Sequence, residues 1–157
     1  MRVGEQLVEL RGVVAIPELV DLARAMFVES RFSHLEFSQH GAENHAWAVL
    51  DRFAGNPWLG FGVLVEGKLV GMVIGLCGPI LPFTSDIVAT QHFLYLLPAY
   101  RGGNWGKRLI DAFVSRAKTL GAKDIIFSNG FGGGDSVDKL FEHCGLQKTG
   151  SIFTVGD

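Results

Sequence analysis

The sequence predicts one α/β (α+β) domain spanning residues 1–157, with a mixed but mostly antiparallel central sheet flanked by about four helices. Three observations predict it. The chain has 157 residues, near the usual size of one domain, and shows no repeat and no linker long enough to split it. Hydrophobic residues make up 48% and charged residues 19%, enough apolar material for buried strands and too much for a disordered chain. Periodicity switches between helix and strand in the order β, α, α, three strands, α, β, α, β. The late strand–helix–strand run demands a parallel crossover around residues 94–128, while the central hairpin is antiparallel.

Each element has a local reason. Residues 6–14 alternate loosely as a first strand. From Ile16 to Phe27, Leu19, Leu22, Ala23, Met26 and Phe27 recur at helical spacing behind Pro17, which suits a first turn. The stretch VESRFSHLEFSQHGAE breaks that period as a polar loop, and NHAWAVLDRFAG resumes it through Ala46, Trp47, Leu50 and Phe53. After Pro57, two apolar runs around EGK read as a hairpin with Gly67 in the turn. IVATQHFLYLLP is apolar almost throughout, as a central strand buried on both faces would be. Residues 105–120 place Leu109, Ile110, Phe113, Ala117 and Leu120 on one helical face, with Gly121 as the C′ residue. KDIIFSN is a short strand, FGGGD a flexible loop, SVDKLFEHCG a helix with Asp135 as N-cap, and GSIFTV a terminal strand.

Composition excludes several functions. A net charge of −2 gives no global attraction to nucleic acid or to an anionic membrane, so any anion must be held locally. Cys77 and Cys144 stand far apart without ligand spacing, which argues against a zinc site and for intracellular thiols. The N-terminus lacks a signal-peptide core and no apolar run reaches the ~20 residues of a membrane span. A cytoplasmic protein without metal is the expectation.

The chemistry centres on LPAYRGGNWGKRL, residues 97–109. A strand that ends in a glycine-rich turn before a helix aims several free backbone N–H groups at one point, a geometry suited to phosphate. Gly102, Gly103 and Gly106 let the backbone approach closely, and Arg101, Lys107 and Arg108 add positive charge. The spacing GGxxG fits neither GxxxxGK[ST] nor GxGxxG, so on its own the loop is equally a plain turn.

Its surroundings carry more. LYLLPAYRGGNWGKRLI, AKTLGAKDIIF and KLFEHCGLQKTG together resemble the GNAT superfamily of acetyl-CoA-dependent N-acetyltransferases, including short bacterial and phage-encoded members, over about residues 86–153. The resemblance implies a single GNAT-like domain and an acetyl-CoA (coenzyme A) cofactor. It also implies that Arg101 opens the cofactor loop and that the backbone of Gly102, Gly103, Asn104, Trp105, Gly106 and Lys107 wraps the pyrophosphate. Leu94, Tyr95 and Leu96 match the strand whose backbone pairs with the pantetheine arm, and Asn129 matches a cofactor-contacting position or is a turn residue. Phe131 is placed to overlie the cofactor or belongs to a mobile loop. Two positions depart from the family pattern. Asn104 replaces a glycine and either obstructs the phosphate or caps the helix, and Phe141 replaces a tyrosine proton donor.

The activity implied is direct acetyl transfer to a primary amine, on a small molecule or a peptide, with no nucleic-acid partner; exposed sheet edges allow a homodimer. The amine must be neutral to attack, which calls for a base. His92 is the first choice, placed on the strand face of Leu94 and Leu96, though a core histidine is an equal reading. Glu36, with His34 and His40, is the second, because the loop between the first two helices covers the acceptor in this family; plain exposed loop residues are the other reading. A non-catalytic acyl-CoA-binding protein of the same fold is the alternative.

Overall fold

The computed structural model describes residues 4–130 and 134–155. Phe131 therefore lies outside the described residues. The elements are β1 (Glu5–Glu9), α1 (Ile16–Glu29), α2 (Gln39–Leu50), β2 (Trp58–Val65), β3 (Lys68–Gly78), β4 (Val88–Leu96), a 3₁₀ turn (Pro98–Tyr100), α3 (Trp105–Thr119), β5 (Asp124–Ile126) and α4 (Gly134–His143). The sheet has the order β1-β2-β3-β4-β5. Its first three pairings are antiparallel, and α3 carries the crossover that makes β4 and β5 parallel.

The sheet is covered on both faces. Leu19, Leu22 and Met26 of α1 and Ala46 and Val49 of α2 pack on Met72 and Ile74. Leu109, Phe113 and Ala117 of α3 pack against Val70, Val73 and Ala89 on the other face. β3 and β4 are consequently central, as their near-continuous apolar sequence requires. The β2–β3 turn has positive φ at both Glu66 (50°) and Gly67 (77°), the pair of left-handed residues that a two-residue hairpin loop needs to match strand twist. Gly121 ends α3 with φ of 91°.

Four expectations are corrected. The first strand stops at Glu9 rather than continuing to residue 14, because the chain turns through Gly12 at φ of 75°. The second helix begins within the stretch expected to be loop: the Ser38 side chain accepts from Gly41 N and nucleates α2 at Gln39. It also ends at Leu50, where Asp51 Oδ1 accepts from Phe53 N and holds the chain out of the helix. Asp135 lies inside the first turn of α4, one residue past its start, and not at the N-cap. Finally, residues 150–155 form no strand; Phe153 is 90% and Val155 97% exposed. An alternating pattern becomes a strand only along a free edge of matching length, and β5 offers three residues.

Candidate active site

β3 and β4 lose register between Ile74 and Gly75: Ile74 opposes Phe93 and Gly75 opposes Gln91, which makes His92 the extra residue of a β-bulge. Glycine at 75 permits this. A Cβ there would stand 2.2 Å from the Thr90 carbonyl oxygen and 2.7 Å from the Phe113 ring. On the other side of β4, the parallel ladder with β5 runs only from Val88–Asp124 to Thr90–Ile126. The strands part from residue 91 onward. Leu97 N donates to Val70 O, and antiparallel alternation then gives the backbone groups of Phe93 and Tyr95 to β3 and turns those of Leu94 and Leu96 toward the open fork.

The fork borders a cavity of about 510 Å³, whose walls include Leu94, Tyr95 and Leu96, the loop glycines Gly102, Gly103 and Gly106, and Asn129. Gly102 has φ of 88°, and a Cβ added at Gly102 or Gly103 would meet nothing within 4 Å, so the loop presents bare backbone. It leads into the N-terminus of α3, whose first turn holds no acidic residue to oppose the positive end of the helix. Asn104 is at the N-cap with φ of −105° and makes no side-chain capping bond, which removes the capping role expected as one of its alternatives. A pyrophosphate fits this backbone.

Arg101 does not reach outward. Its Nε donates to Leu96 O at 2.8 Å, and its Nη2 lies 3.0 and 2.9 Å from the two carboxylate oxygens of Glu29 in α1. The Tyr95 hydroxyl donates to the same carboxylate. Arg101 thus straps the glycine loop to α1 across 72 residues of sequence. The hydrogen bond from Arg101, then that from Tyr95, holds the Glu29 carboxyl below its usual range against a smaller opposing effect of burial. Burial first, and the Glu29 carboxylate second, push the Tyr95 hydroxyl up to about 12. Because the native Glu29 is depressed, its stabilising effect is complete above the ordinary 4.5 and is lost as pH falls through the lower native value. Glu29→Gln is therefore expected to lower stability at neutral pH by under ~1 kcal/mol, the pair being largely exposed, with the difference from wild type vanishing in acid; urea unfolding across pH checks it.

The bulge also decides where His92 points. Its ring stands 5.5 Å from Trp58 and 6.2 Å from Phe93, and His45 of α2 packs on the same Trp58 and Phe93 at 4.7 and 5.3 Å. Leu94 and Leu96 pack on the α3 side. His92 is therefore not on their face, because the extra residue reverses the strand's alternation. It still lines the cavity. Burial lowers the His92 pKa, and burial together with the charge of His92 lowers that of His45, so both imidazoles favour the neutral form near neutral pH.

Of the residues expected from sequence, the fork brings together His92, Leu94, Tyr95, Leu96, Arg101, Gly102, Gly103, Gly106 and Asn129. Asn104, Trp105 and Lys107 are not on its wall: the Trp105 side chain is buried against the sheet and Lys107 pairs with Asp111 at 2.6 Å. Glu36 and His34 lie exposed on the α1–α2 loop, and His40 is exposed in the first turn of α2; none of the three is on the wall. Phe141 packs on Phe127 with ring centroids 5.6 Å apart. Asn129 Nδ2 donates to Gly134 O at 2.8 Å and to Asp138, tying the end of β5 to α4. Sequence reading missed Glu29, Gln91 and Ser128. Gln91 carried one usable signal, an amide inside an otherwise apolar strand.

Comparison with known proteins agrees with the geometry. No curated protein matches the sequence significantly. Solved structures match over nearly the whole chain at low identity. An aminoglycoside N-acetyltransferase in complex with CoA superposes with a TM-score of 0.76 at 12% identity, covering 98% of this chain and 94% of its own. A ribosomal-protein-alanine N-acetyltransferase from Brucella melitensis biovar Abortus 2308 gives 0.69 at 19%, covering 98% and 99%. A transcriptional regulator from Bacillus halodurans C-125 gives 0.73 at 15%, again covering 98% and 99%. These likenesses establish the fold and leave the acceptor open. Residues 16–146 match the model of the acetyltransferase (GNAT) family, and with the forked β4–β5 pair and glycine loop that the match spans, the chain belongs to that family of acetyl-CoA-dependent N-acetyltransferases.

Proposed function

We propose that the protein transfers the acetyl group of acetyl-CoA directly to the nitrogen of a primary amine, with His92 as the base. The observation that carries this reading is the convergence on one cavity of the bare glycine loop, the free edge of β4 and the imidazole of His92. When bound, the cofactor supplies an acetyl thioester already activated toward amines. Backbone N–H groups of the wall glycines Gly102, Gly103 and Gly106 would hold its pyrophosphate, and the outward-facing backbone of Leu94 and Leu96 would bond its extended arm as an added strand does. His92 removes the proton of the acceptor ammonium, directly or through one water. Phe141 has no proton to give, so the departing thiolate takes one from solvent. Glu36 stands apart from the cavity wall, and the proton therefore falls to His92 rather than to it.

Structural relatives that acetylate an aminoglycoside and a ribosomal-protein alanine support an amine acceptor in a small molecule or at a peptide N-terminus. The test has two stages. Saturating acetyl-CoA is expected to raise the melting temperature, and an absence of any shift defeats the reading. Thiol release is then followed across polyamines, aminoglycosides, amino acids and peptide N-termini, which separates turnover from mere binding.

Gly103→Ala tests the cradle without disturbing the fold. A methyl group there meets nothing of the protein and its φ is not positive, so stability should stay within about 0.5 kcal/mol. It would stand where phosphate approaches, and losing one charge-assisted hydrogen bond should weaken coenzyme A binding roughly 10- to 100-fold by calorimetry.

A further inference from the structure

We infer that the side-chain amide of Gln91 is a direct binding group for the pantetheine arm of coenzyme A, an inference that rests on acetyl-CoA being the acyl donor. Gln91 lies in β4 between Thr90, the last residue of the β4–β5 ladder, and His92, the bulge. It is 4% exposed, a buried polar side chain in an apolar strand, and it lines the cavity. A buried amide needs partners at both ends. Its Oε1 accepts from Ser128 N at 2.9 Å, just past the end of β5, and replaces the ladder bond that the parting strands give up.

The other end is unused. Among the described residues nothing bonds Nε2, which leaves two donors at the closed end of the fork. Those donors are neutral, so they suit an uncharged carbonyl and not a phosphate, which the glycine loop at the opposite end of β4 is built to hold. An arm laid along Leu96 and Leu94 from that loop arrives at Gln91 next. The pantetheine arm carries amide carbonyls and lacks charge, and it matches both the path and the donors. Because Oε1 is fixed by Ser128, the amide cannot turn over, and its donors are preorganised for that one ligand.

The experiment compares two probes on wild type, Gln91→Met and Gln91→Glu: coenzyme A, and adenosine 3′-phosphate 5′-diphosphate, which keeps the nucleotide and lacks the arm. Binding is measured by calorimetry at pH 8, alongside thermal unfolding. Gln91→Glu retains an oxygen for Ser128 N and removes the donors, so it should bind coenzyme A roughly 10-fold more weakly and the nucleotide unchanged. Gln91→Met loses both functions and should weaken coenzyme A at least as much. Equal weakening of both probes by Gln91→Glu reduces the residue to a strut between strands and overturns the inference, as does unchanged coenzyme A affinity. If wild type binds the nucleotide but not coenzyme A, the inference fails and the nucleotide site stands; if it binds neither, the acetyl-CoA reading fails with it.

Discussion

His92→Ala is expected to lower kcat by about 10²- to 10⁴-fold, the usual contribution of a positioned base, with little change in the KM for acetyl-CoA. The asymmetry follows from position. His92 borders the cavity at the bulge, while the loop that holds the nucleotide lies at the far end of β4. Only the neutral imidazole accepts a proton, and burial sets its pKa below the ordinary 6.5. In wild type the acidic limb of kcat/KM should therefore fall away below pH 6.5, and activity should be lost as pH drops through the lowered value. In the variant that limb should disappear, leaving only the titration of the acceptor amine. Stability should barely change, since His92 is exposed along one edge. A variant that retains both turnover and the acidic limb removes His92 from the mechanism.

Phe113→Ala should be the most damaging core substitution, costing about 3–5 kcal/mol. Phe113 is 0% exposed at the centre of the α3-side cluster. Its ring meets Phe127 edge-on at 5.5 Å and fills the space beneath Gly75, opposite the bulge. Alanine would leave a void under the two strands that frame the fork. At roughly 2–4 °C per kcal/mol for a domain of this size, the melting temperature should fall by about 6–20 °C. A fall under about 3 °C by calorimetry would mean that the sheet collapses onto the void. Phe113→Leu, which retains much of the volume, should lose less than half as much.

Both residues show how legibility depends on the range of the interaction. Phe113 could be read from sequence because its burial follows from helical spacing with Leu109, Ile110 and Ala117. The hairpin was equally legible, since Glu66 and Gly67 settle the turn from neighbouring residues. The glycines make the loop legible as a phosphate cradle, but of the two alternatives open to Asn104, obstruction or capping, only the structure removes the second, because its side chain makes no capping bond. The start of α2 is not legible from the apolar period, because it depends on the Ser38 cap. The strand expected at GSIFTV failed for want of an edge, which no pattern within the segment reports.

What the sequence by itself determined is the order of elements as far as α4, the parallel crossover through α3, the family and the glycine loop: each is a matter of residues near one another in the chain. The tertiary structure alone decided three things. One residue of extra length in β4 reversed the face of His92, because alternation counts from the last register shift. Glu29 met Arg101 and Tyr95 only once α1 had packed on the sheet. Gln91 reached the cavity only where β5 parted from β4. A bulge, a long-range ion pair and a fork between strands all arise from how two segments are placed against each other, and neither segment encodes that placement alone.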